Sequence, residues 1–428
     1  MTNSFYQDAN SETTGRAIIR FRENASINTI KSKIKKLTGR ETISSSDYET
    51  NTYSALGQLD HSNAFLIEEL KLTLLDEFDK EDNSLQMLSR DRGIGIRPEY
   101  YMYPITQLSY EERLKAWYHE GISLLNEQIH HLPSESLNRN VETFHRERNY
   151  WNLEATNVLP SDASGKGIKV AILDTGLNID HPDFKGRNIE EQSFVSGERN
   201  DIKDYIGHGT HCTGIAVGPK CPSSSHVSRY GIAYEADIYA GKVLAKNGKG
   251  SETEVIMGIL AAIKANCDII SLSLGMSFPP EGYDITEYER IAKRALDNDC
   301  IIVAASGNDS ERSNNIISRV NVPACANKIL AVGALDQKLN IADFSSGSEE
   351  KVDIYAPGVN IVSAGLEKSY YKDEGTSMAA PHVAGIAALI AESDPHLRGE
   401  TLLEAVQKSV QKIEQDSKGA SINLVSAP

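Results

Sequence analysis

The most constraining feature of this chain is an alternation, from residue 151 onward, of short apolar runs with stretches of helical period. The apolar runs lie at 167–173, 236–244, 268–274 and 300–305. After the second run, apolar side chains recur at helical spacing: Val255, Ile256, Ile259, Leu260 and Ile263. Near-continuous apolar strands that alternate with helices are typical of a parallel sheet buried on both faces. We therefore expect an α/β fold over residues 151–428, with a mostly parallel sheet covered by helices on both faces.

The first part of the chain follows a different pattern. Residues 16–22 alternate like a strand, and a helical pattern of apolar residues follows until Gly39. Further along, 64–67 is apolar, 85–88 is consistent with a short helix, and 100–103 alternates like a strand. This order predicts a small α+β domain over residues 1–106.

Residues 107–150 are expected to link the two domains. Apolar side chains at 114, 118, 122, 125 and 129 predict an amphipathic helix. We interpret it as a linker helix on the protein surface rather than as a membrane or partner helix. The polar segment 134–140 is the predicted joint.

Composition excludes two classes of partner. The net charge of the 428 residues is −16, and a surface for nucleic acid or an anionic membrane would need clustered Lys and Arg. Residues 1–8 lack the basic start and apolar stretch of a secretory signal, and no apolar run approaches the ~18 residues of a spanning helix. We expect neither nucleic acid nor a membrane as partner.

The cysteines fit a reducing compartment. There are five, an odd number, and no CxxC pair occurs. Without an export signal, this usage predicts five free thiols in a cytoplasmic protein.

Three polar motifs lie next to predicted elements. Residues 174–176 follow the apolar run 167–173, 208–211 open a stretch of small helix formers, and 375–381 precede a long apolar helix. Taken singly, the Asp could cap a turn and the Ser could cap a helix. Together they supply an acid, a base and a nucleophile, because a Ser hydroxyl reacts only beside a base and His titrates near neutrality.

The order Asp174, His208, Ser377, with flanks Asp-Thr-Gly, His-Gly-Thr-His and Gly-Thr-Ser-Met-Ala-Ala-Pro, resembles the subtilisin-like (subtilase) serine peptidases. The resemblance is close from Trp151 onward and loose before it. It implies a subtilisin-like serine endopeptidase in which Ser377 attacks the peptide bond and forms an acyl-enzyme. His208 would be the general base, Asp174 would orient it, and Asn308 would donate to the oxyanion.

The same resemblance implies how a protein or peptide substrate would bind. Ser273, Leu274 and Gly275 match one substrate-binding strand of the family, and Gly248, Lys249 and Gly250 match the opposing one. An extended peptide would lie between them as an added strand. Asp309 would lie at the rim of the first subsite, with Asn321 near its floor. Whether Asp309 favours polar or basic side chains or is a solvated loop charge stays open.

No cofactor or metal is required by this chemistry. His-Pro-Asp at 181–183 resembles a family pattern in which the Asp can bind calcium, but 217–222 lacks the usual Asn-rich partner loop, so a turn role for Asp183 is an equal alternative. A zinc site of His208, His211 and Cys212 is disfavoured, because H-x-x-H lacks the spacing and Glu of H-E-x-x-H. His211 is expected to help position its helix, with Cys212 buried behind the triad. A catalytically silent subtilase used as a binding module, and an esterase or peptide ligase, are the alternative functions.

The N-terminal region is expected to restrain the enzyme. Its α+β pattern resembles the propeptides of subtilases, which implies a proenzyme made inside the cell, whereas many subtilases are secreted. The segment 100–105 is the candidate to occupy the cleft, and cleavage is expected between Ile105 and Tyr150. The chain's own N-terminal region is thus its expected intramolecular inhibitor.

Overall fold

The protein is described from a computed structural model that covers residues 13–45, 63–76, 94–105, 151–224, 227–276, 283–348, 352–414 and 421–428. The predicted helix near 85–88, the linker helix and joint within 107–150, and the expected cleavage region lie outside these residues. The boundaries of the three segments, 1–106, 107–150 and 151–428, remain predictions.

The N-terminal part is a small α+β unit. Its elements are β1 (Thr13–Arg20), α1 (Ile27–Thr38), β2 (Glu41–Ser44), β3 (Asn63–Ile67), β4 (Leu72–Leu75) and β5 (Gly95–Pro104). Helix α1 is capped at its N-terminus by Ser26, whose side chain accepts the backbone N–H of Thr29, and at its C-terminus by Gly39 in the left-handed conformation. Its buried face, Ile30 and Ile34, packs on one side of the sheet. The strands are ordered β5-β1-β4-β3-β2, and within this order only the β2–β3 pair is parallel.

The second part is built on a nine-stranded sheet. Its strands are β6 (Lys169–Asp174), β7 (Ile189–Ser193), β8 (Asp237–Lys242), β10 (Ile269–Leu272), β12 (Ile301–Ala305), β13 (Ile329–Leu335), β14 (Ile354–Pro357), β17 (Val410–Glu414) and β18 (Ser421–Val425). Their order is β17-β18-β14-β13-β12-β10-β6-β8-β7. The pairs from β18 to β7 are parallel, and β17 joins the edge antiparallel. Two short strands, β9 (Gly250–Ser251) and β11 (Leu274–Gly275), pair with β5, and β15 (Ile361–Ala364) pairs with β16 (Tyr370–Asp373).

Helices cover both faces of this sheet. They are α2 (Trp151–Ala155), α3 (His208–Val217), α4 (Glu252–Lys264), α5 (Thr286–Leu296), α6 (Thr376–Ser393) and α7 (Gly399–Lys408). Side chains alternate along β6, so that Val170 and Ile172 pack with α3, α6 and α7 in one core, while Ala171 and Leu173 pack with α4 and α5 in the other. The predicted fold class, a mostly parallel sheet with helices on both faces and a small α+β part before it, is confirmed.

One predicted strand is corrected. The apolar run 268–274 reads as a single strand, but the structure divides it at Ser273 into β10, in the large sheet, and β11, which pairs with β5. At this point the Ser273 carbonyl accepts the N–H of Ile105 and the hydroxyl of Ser377.

Two further observations concern the whole described chain. Among its described residues, no helix is both long and apolar enough to cross a bilayer. All five cysteines lie in described segments and none is paired with another.

Candidate active site

Asp174 and His208 meet at one edge of the large sheet. Asp174 is the last residue of β6 and His208 the first of α3. Both side chains are buried, and His208 Nδ1 donates to Asp174 Oδ1 at 2.8 Å. Glycine at 209 permits this approach, because a Cβ there would lie 2.3 Å from the carbonyl oxygen of Gly176.

The pair is arranged to stabilise a protonated imidazole. Burial by itself lowers the pKa of His208, but the adjacent Asp174 carboxylate outweighs it and holds that pKa well above its ordinary value. The other ring nitrogen, Nε2, is buried without a hydrogen-bond partner among the described residues. Asp174 therefore fixes the ring orientation and favours proton uptake at His208.

Asp204 accepts hydrogen bonds from the backbone and side chains around the Asp174–His208 pair. The sequence analysis did not identify this residue. Helix α3 begins after Gly207 without a side-chain cap from that residue. Asp204 supplies the acceptor instead: its carboxylate accepts the backbone N–H groups of Ile206, Gly207 and Thr210 and the Thr175 hydroxyl, at 2.8–2.9 Å. An Asp four residues before the first helical residue is the available signal, but such a loop Asp is common.

Ser377 is the second residue of α6 and is fully buried. Its hydroxyl donates to the Ser273 carbonyl at 2.9 Å and lies in a short contact with the Ile105 carbonyl, and no bond to His208 is formed. Cys212 is packed between the two residues, with its Sγ 3.9 Å from His208 Nδ1 and 3.5 Å from the Ser377 carbonyl oxygen. The position at a helix N-terminus surrounds Ser377 with backbone N–H groups that favour negative charge.

Asn308 follows β12 and is held by α6. Its Oδ1 accepts the backbone N–H and the hydroxyl of Thr376, both at 2.9 Å, a role for Thr376 that the sequence reasoning missed. A Cβ on Gly375 would lie 2.8 Å from Asn308 Nδ2 and 3.1 Å from the carbonyl oxygen of Ile105. The amide nitrogen and that carbonyl oxygen are therefore neighbours beside Ser377.

The C-terminal half of β5 lies between the two predicted substrate-binding segments. Leu274 and Gly275 pair antiparallel with Pro104 and Tyr103, and Gly250 pairs with Met102 on the opposite side. The Ile105 N–H donates to the Ser273 carbonyl at 3.1 Å, which places the Ile105 carbonyl at Ser377.

The rest of the 248–250 segment also contacts β5. Lys249 Nζ lies 5.5 and 5.6 Å from the ring centroids of Tyr101 and Tyr103, and a Cβ on Gly248 would lie 3.9 Å from Pro104. Six of the predicted substrate-binding residues thus lie along β5. They are Ser273, Leu274, Gly275, Gly248, Lys249 and Gly250. Asp309 lies close by, and its carboxylate accepts from Asn321 at 2.9 Å.

The candidate metal ligands are engaged by protein groups. Burial tends to raise the pKa of Asp183, but donors from Ser223, Tyr230 and Tyr370 saturate the carboxylate and lower that pKa overall. His211 Nε2 lies 3.1 Å from the Tyr371 carbonyl oxygen. The Asp174, His208 and Cys212 ligand atoms lie within 4.8 Å of one another, but a metal ion there would have to break the Asp174–His208 hydrogen bond.

Comparison with known proteins agrees with this geometry. Residues 165–422 match the subtilase family, Peptidase S8. The chain is 35% identical to the intracellular serine protease of Paenibacillus polymyxa, over 63% of this chain and 79% of that protein. It is 38% identical to the major intracellular serine protease of Bacillus subtilis strain 168, over 56% and 72%, and to subtilisin E of the same organism, over 54% and 57%. The chain belongs to the subtilase family.

Proposed function

We propose that this subtilase, a serine endopeptidase, cleaves peptide bonds with Ser377 as nucleophile, His208 as general base and Asp174 as the group that orients His208. The observation that carries the proposal is the contact of the Ser377 hydroxyl with the carbonyl of an extended strand, beside the buried Asp174–His208 pair. A peptide carbonyl group thus lies against the Ser377 oxygen, and attack requires that oxygen to approach the carbonyl carbon.

In the acylation step, Oγ of Ser377 forms a bond to the carbonyl carbon as its proton passes to Nε2 of His208. The imidazolium is stabilised by the Asp174 carboxylate and then gives the proton to the leaving amine, so that the C–N bond breaks and an acyl-enzyme remains. Water, activated by the same His208, hydrolyses that ester. This order requires the Ser377 hydroxyl to turn from the Ser273 carbonyl towards His208.

The tetrahedral intermediate places negative charge on the former carbonyl oxygen. Nδ2 of Asn308 and the Ser377 backbone N–H are the proposed donors to it. The two hydrogen bonds that Thr376 donates to Asn308 Oδ1 support this role, because they leave the Nδ2 end of the amide facing the substrate.

We further propose that the chain is made as a proenzyme inside the cell and that its N-terminal region is an intramolecular inhibitor. Two similarities support an intracellular site of action, since both relatives carry the word intracellular in their names. The pairing of β5 with β9 and β11 supports inhibition, because the strand occupies the space that a substrate strand would need.

The test compares wild type, Ser377→Ala and Ser393→Ala, a matched substitution at the far end of the same helix. Intact mass and N-terminal sequencing should find wild type and Ser393→Ala cut between Ile105 and Tyr150, and Ser377→Ala uncut. A fluorophosphonate probe should label the first two at Ser377 only. Labelling of Ser377→Ala, or its cleavage at the same position in isolation, would refute the assignment.

A further inference from the structure

The side chain of Ile105 occupies a closed recess beside Ser377. Its backbone is bound at both ends, the N–H by the Ser273 carbonyl and the carbonyl by the Ser377 hydroxyl. Only 6% of Ile105 is exposed. It therefore stands where the residue before a cleaved bond would stand, and the recess is the space open to that residue's side chain.

Asn321 joins the two walls of this recess. One wall is 273–276 and the other is 304–309. The Asn321 N–H donates to the Ser306 carbonyl at 2.8 Å, and its side chain donates to Asp309 Oδ2 at 2.9 Å. The next residue, Val322, accepts the N–H of Met276 at 2.9 Å. Asn321 is only 3% exposed and is thus a fixed part of the recess.

Glycines on both walls bring Asn321 close to the occupant. A Cβ on Gly275 would lie 2.9 Å from Ile105 Cδ1 and 3.5 Å from Asn321 Cβ. A Cβ on Gly307 would lie 2.6 Å from Asn321 Cγ. The tip of the isoleucine and the Asn321 side chain therefore lie against the same glycine surface, and the Asn321 amide takes up the space between the walls.

On the basis of the proposed peptidase function, we propose that Asn321 sets the length of the first subsite and makes the enzyme selective for branched aliphatic residues before the cleaved bond. A phenylalanine, tyrosine or lysine side chain extends beyond isoleucine and has to displace Asn321. That displacement breaks the bond from the Asn321 side chain to Asp309 Oδ2 and leaves the buried amide without that partner. The amide of Asn321 also engages the Asp309 carboxylate, so a basic side chain would have to compete for it.

The experiment measures kcat/KM of the purified full-length chain, after its own processing is complete, on peptides that differ only at this position. The position carries isoleucine, leucine, phenylalanine, tyrosine or lysine after the common sequence Tyr-Met-Tyr-Pro. Wild type should favour the two aliphatic peptides by about ten-fold or more, the discrimination that a difference of one or two methylenes gives. Asn321→Gly should reduce that preference over phenylalanine and tyrosine by about ten-fold.

Two further variants and the wild-type cleavage profile test the proposed specificity. Asn298→Gly, at the exposed end of α5, is the matched control and should keep the wild-type profile. Asp309→Asn tests the rival preference for lysine, and selective loss of lysine cleavage in this variant would overturn the proposal. Wild type that cleaves the phenylalanine or lysine peptide as fast as the leucine peptide would also overturn it, even if Asn321→Gly does not fold. No Ser377-dependent cleavage of any peptide would instead refute the peptidase function and this specificity with it.

Discussion

Arg97 is expected to hold the N-terminal part on the catalytic part. It lies in β5, and its guanidinium donates to both oxygens of Glu252 on α4, at 2.7 and 3.1 Å. A second carboxylate, Glu287, lies 3.6 Å away. The side chains of Arg97 and Glu252 are 11% and 0% exposed. This is an ion pair buried between two parts of the chain, and the substitution Arg97→Met keeps most of its apolar stem while removing the charge.

The magnitude follows from what Arg97→Met leaves behind. Glu252 keeps the N–H of Tyr100 and the hydroxyls of Tyr283 and Tyr288 as donors, but it loses both charged hydrogen bonds while it remains buried. Removal of one partner from a buried pair costs about 3–5 kcal/mol. When β5 leaves the cleft, water hydrates the Glu252 carboxylate. The substitution therefore destabilises only the docked state. At about 1.4 kcal/mol per factor of ten, undocking becomes more than 100-fold more frequent.

Hydrogen exchange of the full-length chain measures this, in a Ser377→Ala background that cannot process itself. Residues 101–105 pair with the cleft, whereas residues 95–100 pair with β1. In Arg97→Met, the amides of 101–103 and 105 should exchange more than 100-fold faster, and the amides of β1 should be unchanged. Lys35→Ala is the matched control, because Lys35 pairs with Glu41 on the exposed surface of the same part of the chain, where a pair contributes about 0–1 kcal/mol. Equal exchange at 101–105 in the two variants would refute the reasoning.

Three further predictions concern the active site, the thiols and acid stability. Asn308→Ala should lower kcat by about 10²–10³ with little change in KM, because the oxyanion forms only after the ground state, and a change confined to KM would contradict this. Thiol titration of the denatured, unreduced chain should count five reactive groups, and a lower count would indicate a disulfide. Burial lowers the pKa of His211 to about 3 and of His382 to about 4, so both stay neutral in the fold but are protonated in the unfolded chain below about pH 6.5. The stability that these two neutral imidazoles contribute should therefore be fully present above that pH, and it should fall by about 1.4 kcal/mol per pH unit for each of them as pH drops towards 4. His208, with its raised pKa, opposes this only above pH 6.5, and urea unfolding midpoints that do not change between pH 7 and 4.5 would contradict it.

The sequence predicted the framework well where a local pattern and the tertiary environment agree. The run that ends at Asp174 is apolar because β6 is buried between two helical layers. The strand can therefore be recognised from the sequence alone. Likewise, Ile30 and Ile34 share one helical face and Gly39 ends the helix. At such positions, each residue carries its own structural signal.

The sequence failed where a role depends on a distant partner. The division of 268–274 at Ser273 has no local signal, and the Ser273 carbonyl bonds to Ile105 and Ser377, which are distant in sequence. Arg97 looks like any surface Arg until β5 places it on Glu252, more than 150 residues away. The proposed roles of Asn308 and Ser377 rest on a family motif, because the contacts that bring the two residues together are distant in sequence.

The pairing of β5 with β1 along its first half, and with the short strands β9 and β11 along its second half, has a consequence for reaction order. Its first half is bonded to β1 and its second half to the cleft, so a chain break after Ile105 removes none of these bonds. Before the break, occupancy of the cleft is a unimolecular equilibrium and does not depend on protein concentration. After it, the same contacts join two molecules, and the effective concentration that the covalent connection supplied is lost. From that point, dilution alone shifts the equilibrium towards an open cleft.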